Sequence, residues 1–207
     1  MTHYAFAIDT QLCVGCNNCS MVCKVENNIP DGQWWNRAVT VGGESEYTPG
    51  GSYPDNLEMR FFTINCQHCD NPACTRVCPV GATYKDPETG IVRQDYDKCI
   101  GCRMCMAACP YTGVRSFNWD LKYSLDFAVG DKDVPAHQKH TVEKCTMCYH
   151  RVSRGERPAC IDICRAGARY WGDLDDPTSE VSVVLAERHA TRLLTEKGTQ
   201  PNVYFIR

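Results

Sequence analysis

The sequence contains no long apolar run, and this absence argues against a membrane-spanning chain at the outset. The longest apolar stretches, such as residues 183–186, are far shorter than the roughly 18 residues of a transmembrane helix. The first residues also lack the basic segment and apolar core of a signal peptide. We therefore expect a chain with no membrane span of its own that folds where it is made, in the cytoplasm.

Signatures of catalysis and of nucleic-acid binding are missing too. No Ser/His/Asp set, phosphate-binding loop or pair of spaced carboxylates stands out. The 22 lysines and arginines are accompanied by 25 acidic residues, for a formal net charge of −3, and no basic patch of the kind that binds nucleic acid is visible. We expect a non-catalytic chain with no nucleic-acid partner.

Cysteine is what the sequence has in abundance, with 16 in a chain of 207 residues. They fall in four runs, which read Cys13-x2-Cys16-x2-Cys19-x3-Cys23, Cys66-x2-Cys69-x4-Cys74-x3-Cys78, Cys99-x2-Cys102-x2-Cys105-x3-Cys109 and Cys145-x2-Cys148-x11-Cys160-x3-Cys164. The third run has the spacing with which bacterial ferredoxins hold an iron–sulfur cluster. With no cysteine left over, the count divides into four clusters of four ligands.

The spacing has a physical reason. A cubane cluster needs four thiolates that converge from different directions, and Cys-x2-Cys-x2-Cys supplies only three of them from one tight loop. Gly101, and Gly15 at the equivalent position of the first run, allow the positive φ that turns such a loop inward. The fourth thiolate is expected from the distal cysteine of another run. Pro79 and Pro110 stop the helix directly after two of these distal cysteines.

Nesting of the runs predicts which thiols meet. The inner two runs form one two-cluster unit and the outer two form another, and each distal cysteine crosses to the cluster of the partner run. The predicted metal ligands are Cys66, Cys69, Cys74 and Cys109 for one cluster, Cys99, Cys102, Cys105 and Cys78 for a second, Cys13, Cys16, Cys19 and Cys164 for a third, and Cys145, Cys148, Cys160 and Cys23 for a fourth. No catalytic residue is predicted, and no cofactor-binding residue beyond these ligands.

The segments between the cysteines predict secondary structure. Strands are expected at residues 3–8 and 60–65, each leading into a cysteine run, and a strand–turn–strand unit at residues 81–95. A helix over residues 179–189, capped by Thr178 or Ser179, precedes a terminal strand at residues 203–206.

This order of elements predicts an α+β fold of two fused ferredoxin-like two-cluster modules with inserted loops and a C-terminal tail. The expected parts are residues 1–30 with 141–174 as the outer module, 31–60 as an inserted lobe, 61–114 as the inner module, 115–140 as a connector and 175–207 as the tail.

Two other uses of the cysteines compete with iron and sulfur. The fourth run alone also suits a structural zinc site, since tetrahedral thiolates serve zinc equally well. The first and fourth runs lack a proline after the last cysteine, which weakens their match. A disulfide framework would need an oxidising compartment, and the chain is longer than the small secreted scaffolds. The three ferredoxin-type runs favour iron and sulfur throughout.

Several residues beside the runs have two interpretations each. His68 and His150 are either ordinary loop residues or hydrogen-bond donors that tune a cluster. Trp34 and Trp35 either pack within the lobe or form a docking patch for a partner. Six basic residues near the loops either face solvent or help to hold negative clusters, namely Lys24, Arg76, Lys98, Arg103, Lys144 and Arg165.

Over nearly its whole length the chain resembles a known family. The matching segments are Cys13-Val14-Gly15-Cys16, Cys66-Gln67-His68-Cys69, Cys99-Ile100-Gly101-Cys102, Lys144-Cys145 through Cys164, and the segment Gly172-Asp173-Leu174-Asp175-Asp176-Pro177. They are similar to those of the ferredoxin-type electron-transfer subunits of molybdopterin oxidoreductases, of the dimethyl sulfoxide reductase B-subunit type. Some members replace one cysteine of the third run by tryptophan and hold a three-iron cluster. All four cysteines are present here, so the resemblance implies four [4Fe–4S] clusters.

The resemblance also implies partners. A subunit of this type passes single electrons between a large molybdopterin-containing catalytic subunit and an external donor or acceptor, which is a membrane anchor, a cytochrome or a soluble carrier. Members without a signal of their own are exported folded with a signal-bearing catalytic partner, or reach a membrane through a partner, so the final compartment stays open. The alternative is a free-standing soluble polyferredoxin that carries electrons alone.

Overall fold

The computed structural model describes residues 2–42 and 47–207. Its strands are β1 Tyr4–Asp9, β2 Asn36–Thr40, β3 Phe61–Asn65, β4 Thr83–Lys85, β5 Val92–Gln94, β6 Arg115–Phe117, β7 Val142–Lys144, β8 Arg169–Asp173, β9 Ala190–Arg192 and β10 Val203–Ile206. Its α-helices are α1 Asn18–Glu26, α2 Ala73–Arg76, α3 Met104–Ala107, α4 Tyr149–Val152, α5 Ala159–Asp162 and α6 Glu180–Glu187. This mixture of short strands and short helices agrees with the predicted ferredoxin-like α+β class.

The largest sheet has four strands in the order β8-β1-β10-β9. The strand β1 pairs with β10 in parallel, Phe6 opposite Val203, and with β8 antiparallel, Phe6 opposite Trp171. The sequence of β1, Tyr-Ala-Phe-Ala-Ile-Asp, is apolar on both faces, which suits a central strand. The termini of the chain therefore meet in the middle of this sheet.

The two faces of β1 pack against different parts of the molecule. Phe6 and Ile8 lie in a core cluster that includes Cys19 and Cys160. Ala5 and Ala7 face the other way, where α6 covers them with two valines, Val181 and Val184. The sheet therefore has cysteine-bearing segments on one face and a helix on the other.

Most predicted elements are found close to their expected bounds. The strands expected before the first two cysteine runs are β1 and β3, and the strand–turn–strand unit is the antiparallel pair β4 and β5. The helix α6 starts one residue later than expected and ends two earlier, and the Ser179 side chain accepts a hydrogen bond from Ser182 N at its N-cap. The segment expected as a tail, residues 175–207, supplies α6, β9 and β10.

The lobe and the connector contain strands that the sequence did not predict. In the lobe, β2 pairs antiparallel with β3, and residues 43–46 of the lobe lie outside the described residues. In the connector, β6 pairs with β7, which leads directly to Cys145. Thus β2 and β6 each pair with a strand, β3 or β7, that leads into a cysteine run.

The helices are short, and α1, with nine residues, is the longest of the described ones. Across residues 2–42 and 47–207, no helix combines the length and the apolar character needed to cross a membrane.

Candidate metal centres

Each cysteine run follows a strand in the sequence and ends on or just after a short helix. Cys13 and Cys16 follow β1, whereas Cys19 and Cys23 lie on α1. In the other runs the early cysteines follow β3, β5 and β7, and the later ones lie on or after α2, α3, α4 and α5. Gly15 and Gly101 both have a φ of 68°, which confirms the positive φ expected of these loops. All sixteen cysteines lie in the described ranges and carry free thiols.

Two sets of four cysteines each line one small cavity. The first set, called group 1, consists of Cys13, Cys16, Cys19 and Cys164. The second set, called group 4, consists of Cys78, Cys99, Cys102 and Cys105. In both cavities three cysteines of one run meet the distal cysteine of another run. The cavities thus bring together two of the four predicted ligand sets.

The other eight thiols are divided into two further groups according to the thiol charges that raise the pKa of Cys23 and of Cys69. Burial raises the pKa of Cys23, and negative charge on Cys145, Cys148 and Cys160 raises it further; these four are called group 2. Burial likewise raises the pKa of Cys69 to about 12, with contributions from Cys66, Cys74 and Cys109; these four are called group 3. Both groups again join three cysteines of one run to a distal cysteine of another.

The groups adjoin one another in the order 1, 2, 3, 4. Groups 1 and 2 approach through Cys19 and Cys160, groups 2 and 3 through Cys66 and Cys145, and groups 3 and 4 through Cys74 and Cys105; within each of these pairs the charge of one thiol raises the pKa of the other. The two cysteines classed as exposed, Cys16 and Cys102, belong to groups 1 and 4. The molecule thus presents a thiol to solvent in each of the two end groups, whereas the thiols of group 2 are all buried.

Burial decides the protonation state of the inner thiols. It raises the pKa of Cys145 to about 12 and that of Cys109 to about 11, and it raises the pKa of Cys148 well above its ordinary value. Such thiols are neutral at physiological pH unless a metal supplies the positive charge that stabilises the thiolate. Four converging sulfur donors suit an iron–sulfur cluster or zinc.

The basic residues predicted beside the loops have different surroundings. Lys144 is 1% exposed, and its Nζ donates to the carbonyl oxygens of Val92 and Cys145, so it fixes the loop that carries group 2. Lys24 donates to three backbone carbonyl oxygens of the following segment. Arg103 lies over the rings of Phe117 and Trp119.

Two buried arginines were missed by the sequence analysis. Arg115 is 6% exposed and lies among thiols of groups 3 and 4, which raise its pKa against the effect of burial. Arg169 is 5% exposed, and its Nη2 lies 3.6 Å from Cys160 Sγ. A signal was present, because each arginine ends a Gly-Val-Arg or Gly-Ala-Arg segment shortly after a distal cysteine.

The two histidines within the runs differ. His68 is fully buried, has a φ of 43°, and neither ring nitrogen has a hydrogen-bond partner among the described residues. Burial, aided by the charges of Lys144 and Arg115, lowers the pKa of His68 well below its ordinary value, so the ring is neutral.

His150 instead pairs with Glu26 at 3.1 Å. A ligand atom of Asp131 lies within 4.8 Å of both, a spacing that could hold a cation. Two guanidinium groups already neutralise the carboxylates, because Arg151 pairs with Glu26 and Arg154 with Asp131. The three residues therefore form an ion-pair network on the described surface rather than a second type of metal site.

The two tryptophans of the lobe differ in their exposure to solvent. Trp35 is 2% exposed and packs with Cys23, Ile29, Cys66 and Cys145, so it belongs to the core between groups 2 and 3. Trp34 is 36% exposed, and Lys24 Nζ lies 4.9 Å from its ring centre. Trp35 is therefore buried, but it packs against residues outside the lobe rather than within it.

Comparison with known proteins gives a consistent result. The family model described as a 4Fe-4S dicluster domain matches residues 57–124 and 132–174. A protein of Halobacterium salinarum is 51% identical over all of this chain and 79% of its own length, and its name assigns it provisionally as the iron-sulfur B protein of a dimethyl sulfoxide reductase. Arsenate respiratory reductase iron-sulfur subunit ArrB of a Shewanella species is 40% identical over 97% of this chain and 94% of its own. The B component of the sulfite dehydrogenase of Allochromatium vinosum is 36% identical over all of this chain and 83% of its own.

Proposed function

Because the chain belongs to the 4Fe-4S dicluster family, it is an iron–sulfur electron-transfer subunit that holds four [4Fe–4S] clusters, and we propose that groups 1 to 4 are their ligand sets. The observation that carries this assignment is the convergence of three cysteines from one run with the distal cysteine of another. The same nesting predicts two fused two-cluster modules.

The residues present fit these clusters. All donors are sulfur, and the raised pKa values of the buried thiols favour a site that a metal completes. The guanidinium of Arg115 is buried, and neither of its Nη atoms has a hydrogen-bond partner among the described residues. It lies among the thiols, where negative charge would stabilise it. Zinc bound by four thiolates would fit the geometry of one group, but a match to the 4Fe-4S family that extends over three of the four runs favours iron.

The order of the groups supports a linear path for electrons. A bound cluster accepts and releases one electron at a time. The chain contributes spacing, burial and local charge, and the adjoining thiols of successive groups support transfer in the order 1, 2, 3, 4. Groups 1 and 4 are then the entry and exit points, since Cys16 and Cys102 are exposed there.

A catalytic partner is expected at one end of this path. The relatives are named as subunits of reductases or a dehydrogenase, which does not favour a free-standing carrier. We propose that this chain serves a molybdopterin-containing catalytic subunit and exchanges electrons with a membrane anchor, a cytochrome or a soluble carrier. Exposed apolar side chains beside the exposed cysteines, Val14 and Ile100, support contacts with other proteins at both ends. Its compartment is then that of the assembled complex.

Metal analysis is the first test. Anaerobically purified protein is expected to contain about 16 irons and 16 acid-labile sulfides, with a spin-coupled EPR spectrum after reduction. Near-stoichiometric zinc with little iron would overturn the electron-transfer assignment.

Paired substitutions test the ligand sets themselves. The double variant Cys13→Ser/Cys164→Ser removes two ligands of group 1 and is expected to lose one cluster, leaving about 12 irons. The matched double variant Cys13→Ser/Cys148→Ser touches groups 1 and 2 and is expected to leave about 8 irons. Equal iron contents in the two double variants would contradict the crossover of distal cysteines between the outer runs.

A further inference from the structure

Two guanidinium groups in the interior have no carboxylate to neutralise them. Arg115 and Arg169 are almost fully buried, and the charged groups that act on them most strongly are cysteines. In the described part of the chain neither side chain makes a salt bridge with an aspartate or glutamate. Arginine remains protonated throughout the range in which proteins fold, so these charges cannot be removed by proton loss. A buried charge without a partner is costly, so an opposite charge is needed nearby.

The two arginines occupy equivalent places in related segments. Each opens the strand that follows a distal cysteine, β6 after Cys109 and β8 after Cys164. The two segments read Gly113-Val114-Arg115 and Gly167-Ala168-Arg169, whereas the corresponding segment after Cys78 reads Gly81-Ala82-Thr83. The inner and the outer pair of runs therefore have one buried arginine each at this position.

Each guanidinium is influenced by the charges of two groups of thiols. Arg115 is influenced by Cys66, Cys74 and Cys109 of group 3 and by Cys105 of group 4. Arg169 is influenced by Cys19 and Cys164 of group 1 and by Cys145 and Cys160 of group 2.

Other contacts hold Arg169 in place. Its Nη1 donates to Thr63 Oγ1, and its guanidinium lies 5.7 Å from the ring centre of Phe6. These contacts come from β3 and β1, so the position of the charge is fixed by the sheets.

We propose that Arg115 and Arg169 are fixed counter-charges, each shared by two neighbouring clusters, and that each raises the reduction potentials of both. The proposal rests on the ligand sets proposed above. A cluster bound by four thiolates is negative, and reduction adds another negative charge. A fixed positive charge nearby therefore stabilises the reduced form more than the oxidised form. Because one charge serves two clusters, it moves both potentials in the same direction and leaves the difference between them nearly unchanged.

Charge-neutral variants test this in the assembled holoprotein. R169Q is expected to lower two of the four midpoint potentials in an EPR-monitored redox titration, and R115Q is expected to lower the other two. The expected change is at least tenfold in the oxidised-to-reduced ratio at fixed potential, about 59 mV for a one-electron couple. This size is expected because a nearby opposite charge shifts the pKa of an ionisable group by roughly 1 to 3 pH units, which is tenfold or more in the equilibrium.

The matched control is K98Q. Lys98 precedes the predicted ligand Cys99 and its loss removes the same charge, but its side chain is 63% exposed and paired with Asp95. We expect no change in any midpoint because solvent screens this charge. The proposal is overturned if the two arginine variants shift the same two midpoints, if they shift none, or if K98Q shifts them equally.

Charge-retaining variants decide the matter if a glutamine variant fails to keep its clusters. R115K and R169K preserve the charge and lose the planar fork, and each is expected to retain all four clusters. If a lysine variant loses the same clusters as its glutamine counterpart, guanidinium shape rather than charge is required, and the proposal is wrong. Iron content of the wild type and of the paired cysteine variants reports separately on the ligand sets. If the arginine variants keep about 16 irons and their midpoint potentials are unshifted, the counter-charge proposal is wrong and the proposed ligand sets are unaffected.

Discussion

His137 joins two cysteine-bearing segments through a buried ion pair, and replacing it with leucine should weaken one cluster site. Its Nδ1 lies 2.7 Å from both carboxylate oxygens of Glu143, and its Nε2 lies 2.8 Å from the carbonyl oxygen of Asn27. Both neighbours are acceptors, so both ring nitrogens must donate and the ring is an imidazolium. Asn27 follows Cys23 by four residues and Glu143 precedes Cys145 by two, and both cysteines belong to group 2.

The magnitude follows from the burial of the pair, whose side chains are 2% and 0% exposed. The variant His137→Leu leaves the Glu143 carboxylate buried without its partner, which typically costs about 3–5 kcal/mol. We therefore expect a loss of about 3–5 kcal/mol at pH 7.

The pH dependence has a defined sign. Burial lowers the pKa of His137, but the hydrogen bond and charge of Glu143 and the backbone carbonyl oxygens outweigh it, so the net pKa is raised. In the wild type this contribution is complete below the ordinary histidine pKa of about 6.5 and is lost as pH rises through the folded value. The difference between the two proteins should therefore be largest below about pH 6.5 and should shrink as pH rises through the folded pKa of His137.

A kinetic assay suits this protein because cluster loss is irreversible. Bleaching of cluster absorbance in urea at pH 7 should be roughly 10²- to 10⁴-fold faster in His137→Leu, provided the pair breaks before the transition state for unfolding. Iron should fall toward about 12 per chain as group 2 is lost first. His189→Leu is the matched control, since it removes an exposed histidine. Equal bleaching rates for His137→Leu and the wild type, at pH 7 and at pH 5.5 alike, would refute the reasoning.

Further predictions concern backbone geometry and capping. Gly101→Ala should lose one cluster in an iron assay, because its Cβ would overlap the carbonyl oxygen of His140 at a φ of 68°. Gly81→Ala, with a φ of 65° and open space around the Cβ, should retain all clusters and cost only about 1–2 kcal/mol; equal iron loss in both variants would contradict this reasoning. Ser179→Ala removes the N-cap acceptor of α6 and should cost about 1 kcal/mol, seen as a lower melting temperature with unchanged iron content. An unaltered melting temperature would show that the cap is not needed.

Local signals in the sequence predicted the elements whose shape depends on nearby residues. The alternation at residues 3–8, the turn around Gly90 and the cap at Ser179 each report on a few neighbouring residues, and β1, the β4–β5 pair and α6 follow from them. The spacing of the cysteines likewise predicted nested ligand sets, and two of these sets each line one cavity.

Features that depend on distant partners were not predicted. The strand β6 has three residues, and only its pairing with β7 distinguishes it from the rest of the connector. The segment 175–207 looked like a tail because parallel pairing of β10 with β1 leaves no local pattern. The burial of Arg115 and Arg169 escaped notice because arginine is ordinarily a surface residue, and its burial depends on charge supplied by other segments.

The parallel pairing of β1 with β10 also sets a schedule for biosynthesis. Phe6 lies opposite Val203, so β1 lacks this partner until the chain has been synthesised through residue 203. At about 5–20 residues per second, the nascent N-terminal segment waits roughly 10–40 s for its partner. During that interval the first cysteine run is already outside the ribosome while Cys164, which completes group 1, is still missing. The thiols of residues 66–109 are synthesised earlier, so groups 3 and 4 have all their cysteines in the nascent chain before groups 1 and 2 do.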